Sequence, residues 1–182
     1  MRTTLKSICL ILFVFLLVME HGICQESASN NSTDTSKLIN AAKEIMTEAG
    51  TCALITLDKD GSPRARTMDP FLPEENFTVW FGTNANSRKV DQIKNDSRVT
   101  LYYFDDKTQG YVVIEGTAQL IVDSTEKENH WKQEWESFYP NKSENYMLIK
   151  VIPISLEILS PSHGIFNDPI TWQPPVISFE MH

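Results

Sequence analysis

Apolar residues first recur at helical spacing just past a polar stretch, where Leu38, Ile39, Ala42, Ile45, Met46 and Ala49 mark one face of a helix over about 37–49. Ser36 can cap its start, and Gly50 can take the left-handed conformation that ends it. Beyond Gly50 the apolar period shortens, and runs rich in β-branched and aromatic residues alternate with turn signals. These predict six strands, over 51–57, 62–68, 77–82, 98–104, 110–122 and 146–158. Asp60-Gly61 between the first two is a hairpin signal, and Pro153 marks an edge or a bulge in the last. Two further helices fit at about 86–95 and 124–138, the second opening on Asp123-Ser-Thr-Glu126 as capping residues. Six hairpin-connected strands closing around a core, with helices packed outside, make a mainly β (α+β) domain in the form of an antiparallel barrel.

The ends of the chain read differently. Arg2 and Lys6 precede twelve apolar residues, Ile8 to Met19, and a short polar stretch ending at Cys24, the pattern of a cleaved signal peptide over 1–24. A membrane anchor is the alternative, although twelve helical residues rise only about 18 Å against a hydrocarbon core of roughly 30 Å. A lipidated Cys24 is a third, with Ile23 an unsuitable neighbour for it. Residues 25–35 are small and polar, a linker with nothing to bury. The domain then spans 36–159, and 160–182 forms a C-terminal arm.

At 182 residues, with 41% hydrophobic and 22% charged positions, the chain holds one folded domain rather than a disordered or multi-span protein. The formal net charge of −8 argues against nucleic acid or an anionic membrane as partner. After signal removal Cys52 is the one thiol surely retained, so no internal disulfide is expected, and its apolar neighbours make it a buried hydrophobe rather than a nucleophile. Histidines at 130, 163 and 182 lack metal-site spacing and offer no axial pair for haem, so no metal centre is proposed. Five Asn-x-Ser/Thr sites, at Asn30, Asn31, Asn76, Asn95 and Asn141, fit either a glycosylated secreted protein or a chain simply rich in Asn.

Chemistry concentrates in Trp80-Phe-Gly-Thr-Asn-Ala-Asn-Ser-Arg-Lys-Val-Asp-Gln-Ile93, which reads as a strand, a polar turn and a helix beginning near Ser87. Arg88 and Lys89 then fall in the first helical turn, where the macrodipole disfavours positive charge. An anion held by the free backbone N–H groups, Thr83, Ser87 and the two cations would compensate. A solvated helix start whose cations pair with Asp91 or neighbouring acids would do so equally.

The run F-G-T-N-x-x-S-R-K-x-x-Q-I-x-N-x-x-R-V-x-L-x-x-F, Phe81 to Phe104, resembles the FMN-binding motif of the pyridoxamine 5'-phosphate oxidase superfamily. Gly61 to Met68 resembles the family's preceding strand, and Tyr111 to Ala118 the strand that completes the motif. In style the chain is similar to the superfamily's bacterial general stress proteins, which are FMN-binding split barrels that dimerise with flavin at the subunit interface. The resemblance, over about 37–158, implies a split-barrel homodimer that binds FMN. It assigns Ser87, Arg88 and Lys89 to the FMN phosphate, Gly82 and Thr83 to the ribityl chain and ring, and Arg66, Thr67 and Met68 to the isoalloxazine.

The chain departs from the oxidases proper at two motif positions: Phe71 lies where they place a Lys, and Tyr111 matches their Gln. It also has no arginine after Arg98, whereas the oxidases hold the vitamin phosphate with a C-terminal Arg-x-His element, so pyridoxamine phosphate is not the expected substrate. Trp131 and Trp135, i and i+4 on a predicted helix beside Phe138 and Tyr139, read as core. Trp172, between prolines in the arm, could cover a flavin face or lock a dimer, and His163 could donate a proton. The expected function is that of an exported, secreted or periplasmic, FMN-dependent oxidoreductase of unknown substrate. The alternative is a secreted split-barrel protein that carries flavin without catalysis or has lost it.

Overall fold

The computed structural model describes residues 34–139, 141 and 145–180. The predicted signal and residues 25–33 of the predicted linker lie outside the described residues. Helix α1 is helical over 34–49, so Asp34 and Thr35 belong to a helix rather than to the expected linker. From Asn40 onward the chain forms one compact unit that contains every element below. Ala41, Ala42, Ile45 and Met46 are buried, and the helix stops at Gly50, as the periodicity and the C-terminal signal require.

The strands are β1 (Cys52–Leu57), β2 (Pro63–Met68), β3 (Val79–Asn84), β4 (Arg98–Asp105), β5 (Gly110–Ile121), β6 (Tyr146–Leu159) and β7 (Val176–Ser178). Helix α2 (Arg88–Asn95) links β3 to β4, and α3 (Ser124–Asn129) follows β5. The predicted β1–β2 hairpin forms: Asp58 accepts from the Gly61 N–H at 2.9 Å and donates to the Ser62 carbonyl at 2.9 Å, with Gly61 at φ +80°. Strands pair antiparallel in the order β2-β1-β4-β5-β6-β3, with β7 on β6.

The sheet has seven strands, not six, because three residues of the arm add to β6 along Ser155–Glu157, a pairing too short to leave an alternating pattern. Nor does the sheet close: β2 and β3 are its free edges, and they meet only where Pro70 bridges Phe81 and the Phe71 N–H reaches the Trp80 carbonyl at 2.9 Å. The result is consistent with a split barrel. The irregularity expected at Pro153 is a bulge, across which Glu115 pairs with Ser155 but Gly116 with Pro153, as suits a residue without an N–H to donate.

The strand interiors alternate as predicted. Leu54, Leu101, Tyr103, Val112, Ile114, Leu156 and Ile158 point inward, fully buried. Cys52 is buried among them, its thiol pushed up to about 12 by desolvation, which suits a packed hydrophobe and not a nucleophile. Ile55, Tyr102, Phe104, Tyr111 and Val113 occupy the opposite, outward positions of β1, β4 and β5 and remain partly or largely exposed.

The third predicted helix is broken. Helix α3 ends at Asn129, and a separate 3-10 turn covers Gln133–Ser137. Between them His130 leaves helical geometry and stacks on Trp80, with ring centroids 4.1 Å apart and planes at 24°. That tertiary contact overrides the local periodicity, so Trp131 and Trp135 are not two positions on one helix, although their rings still meet edge to face at 6.0 Å. Among the described residues no helix is long and apolar enough to cross a membrane.

Candidate functional site

Strand β3 carries Thr83 to the edge of a turn pinned from several directions. Asn84 accepts from the Asn86 N–H through its side chain at 2.8 Å and from the Ser87 N–H through its carbonyl at 3.0 Å, while the Ala85 N–H donates to the Asn145 carbonyl at 2.8 Å. Ser87 sits at the N-cap in extended geometry (φ −76°, ψ 145°), its hydroxyl making no capping bond, and its carbonyl accepts from Val90 at 2.9 Å. The N–H groups of Arg88 and Lys89 thus precede the first turn's bonding and keep the positive end of α2 open.

Side chains converge on this end from two strands and the helix. Lys89 Nζ donates to Thr83 Oγ1 at 2.8 Å, and that hydroxyl lies 3.4 Å from Ser87 Oγ. Arg66 reaches from β2 under α2, donating to the Leu54 carbonyl (3.1 Å), Thr56 Oγ1 (2.7 Å) and Gln92 Oε1 (2.9 Å). The Thr56 hydroxyl itself donates to Gln92 Oε1 at 2.7 Å, so two buried neutral residues hold the guanidinium in place. Thr56 and Gln92 were not anticipated, although a Thr at an inward position of an apolar strand is a readable sign of a buried polar contact.

Among the described residues no carboxylate lies within ion-pair distance of Arg66, Arg88 or Lys89. Asp91, the acid that could have neutralised the helix start, faces Lys94 at 3.8 Å instead. Burial lowers the Lys89 ammonium below its ordinary pKa, and the neighbouring Arg66 lowers it further. Burial and then Arg88 lower Arg66 in the same way. Like charges held together without a counterion are an arrangement that an anion would stabilise, and the residues present fit a phosphate.

The predicted site residues do not all meet in one place. Thr67, Met68, Gly82, Thr83 and Lys89 line a hollow of about 280 Å³ together with Trp135, Phe138, Tyr139 and Asp69, whose carboxylate pairs with Lys132 at 2.7 Å. Ser87 adjoins it through Thr83, and Arg66 does not line it but is near enough to Lys89 to lower that ammonium's pKa. Arg88 lines a different hollow, shared with Asp58, Asp91 and Gln92, because successive residues on a helix point about 100° apart. Tyr111 lies on the outward sheet face, paired with Phe104 and Leu159 and with its ring 6.0 Å from Tyr102, and does not line the hollow. Trp172 is 76% exposed at φ +61°, on a loop fixed by Asp168, which accepts from the backbone of Ile170 and Thr171. It too lies off the hollow. His163 is engaged elsewhere, 2.8 Å from Ser160 Oγ and 3.3 Å from Glu44.

The pattern of the family described as "Pyridoxamine 5'-phosphate oxidase like" matches residues 36–162, most of the chain. The chain belongs to the pyridoxamine 5'-phosphate oxidase like family. Solved structures agree on the fold of this oxidase-like chain. General Stress Protein 26 from Bacillus anthracis superimposes with a TM-score of 0.62 at 23% identity, covering 78% of this chain and 98% of that one. A protein from Clostridium acetobutylicum related to general stress protein 26 gives 0.64 at 18% identity, with 78% and 94% covered. A pyridoxamine 5'-phosphate oxidase-related, FMN-binding protein from Nostoc punctiforme gives 0.53 at 16% identity, with 81% and 96% covered. No curated protein matches the chain.

Proposed function

We propose that this member of the family binds FMN, with Lys89, Thr83, Ser87 and the first-turn N–H groups of α2 taking the phosphate and Arg66 adding charge behind them. The observation that carries this reading is the cation cluster at the start of α2, which among the described residues has no carboxylate partner while Asp91 pairs with Lys94. Family membership and the FMN-binding relative from Nostoc punctiforme support it. Thr67 and Met68, which line the same hollow, serve the ring, and Arg88 contributes through the field rather than by contact.

We infer further that the protein is an exported oxidoreductase acting as a homodimer on a small molecule. Bound FMN supplies hydride and single-electron chemistry; the chain binds the phosphate, orients the ring and limits access by water. The outward face formed by Ile55, Tyr102, Phe104, Tyr111 and Val113 supports pairing with a second copy, since contiguous exposed apolar surface marks association sites. Tyr111 and Trp172, which lie off the hollow of their own protomer, would act on the flavin from that second copy. Export rests on the charged and apolar N-terminal pattern. Without an arginine after Arg98, a second phosphate on the substrate has no strong anchor, which sets pyridoxamine phosphate aside.

The test is the purified protein itself. FMN released on denaturation, or taken up stoichiometrically on titration, supports the flavoprotein reading; colourless protein indifferent to added FMN overturns it. Reduction of the bound flavin by a nicotinamide donor, followed by reoxidation, separates an enzyme from a carrier.

A further inference from the structure

The lining of the hollow is of two chemical kinds, and only the polar one is accounted for by the phosphate. Besides Thr83 and Lys89 it includes Trp135, Phe138 and Tyr139, all from the connection between β5 and β6. Trp135 is firmly seated. A Cβ on Gly82 would collide with its Cζ3 and Cη2, so the indole lies directly on the glycine backbone of β3. Edge contacts to Phe71 (5.7 Å), Trp131 (6.0 Å) and Tyr139 (6.2 Å) hold it from other sides, and Lys132 Nζ stands 5.4 Å from its ring. Phe138 is the opposite case: it lines the same hollow, yet is 72% exposed. A packed indole and an exposed phenyl in a hollow that Lys89 lines, and whose acid Asp69 is paired with Lys132, match a ligand with an anionic head and a planar aromatic body.

We propose that Phe138, backed by the closely packed Trp135, is a ring-binding residue of this site, forming the apolar wall against which the isoalloxazine packs. Gly82 then acts as the seat of Trp135, which is why the ring wall can approach β3 so closely. The proposal rests on the FMN reading above and adds residues from a segment that the FMN-binding motif does not include.

Titrations of wild type, Phe138→Ala and Lys89→Met with FMN and with riboflavin, which has the ring without the phosphate, decide it. Phe138 is exposed enough that its removal leaves the fold intact, and an unchanged melting temperature checks this. Phe138→Ala is expected to weaken FMN and riboflavin by the same factor, about 3- to 10-fold, and to shift the visible flavin band. Lys89→Met should weaken FMN while leaving riboflavin nearly unchanged. If wild type binds FMN and Phe138→Ala changes neither affinity beyond about twofold, or weakens FMN alone, the ring wall is wrong while the flavoprotein reading stands. If wild type takes up neither ligand, both are overturned.

Discussion

The start of α2 and the connection from Asp123 to Tyr139 border the same hollow but are built in opposite ways. At α2 the defining groups are polar and mostly local: Thr83, Ser87 and Lys89 lie within seven residues of one another and are oriented by one turn and one helical end. In the connection the groups are aromatic and mostly non-local, with Trp135 resting on Gly82, Phe71 and Tyr146 from three distant stretches of chain. The comparison teaches which kind of site a linear chain can announce. Charge at a helix start has a meaning set by the polarity of the backbone itself, whereas an aromatic side chain becomes core or ligand wall only once its neighbours are known.

The sharpest break of that contrast is Lys89→Met, which keeps the apolar stem and removes the charge. FMN affinity should fall about 10- to 100-fold, the range of one charge-assisted hydrogen bond to phosphate, when titrated by flavin fluorescence at fixed salt. Asp91→Asn, which removes an acid that pairs with Lys94 and lines the Arg88 hollow, should stay within about twofold of wild type, and a large gain there would move the anion to that neighbouring hollow.

Gly82→Ala probes the other region. The added methyl collides with the Trp135 ring, so a loss of about 1–3 kcal/mol in folding stability is expected from denaturant melts. In a Trp135→Ala background much of that cost should vanish; equal costs in both backgrounds would mean that the indole is not what Gly82 accommodates.

The smallest effect is one of protonation. The Lys89 pKa is lowered in the folded protein, so the charged form is disfavoured by folding, and the stability of the ligand-free protein should rise with pH between the depressed folded value and the ordinary 10.5. A bound phosphate reverses the depression. FMN binding at mildly alkaline pH should therefore take up protons, a sign readable by calorimetry in buffers of different ionisation enthalpy. Proton release would place Lys89 away from the phosphate.

Much of the fold is legible in short stretches of sequence. The alternation of Cys52, Leu54 and Thr56, the Asp60-Gly61 turn and the stop at Gly50 each reflect a rule that acts over a few residues, and each element forms where expected. The break after Asn129 is not legible in this way, because stacking of His130 on Trp80 outweighs the helical preference of the local sequence. The divergence of Arg88 from Lys89 needs only the helix period. The position of Tyr111 on the outward face of β5 follows from alternation, but its distance from the hollow does not.

What the amino-acid order determined alone is six of the seven strands, their inward residues and a helix opening on hydroxyls and cations, since periodicity, turn chemistry and backbone polarity are local properties. The packed barrel decided the rest: that among the described residues no acid answers those cations, that Arg66 is braced by Thr56 and Gln92, and that an indole closes on a glycine to leave a phenyl facing the hollow. Each of these depends on distances between chain segments far apart in sequence, and only the folded arrangement sets them.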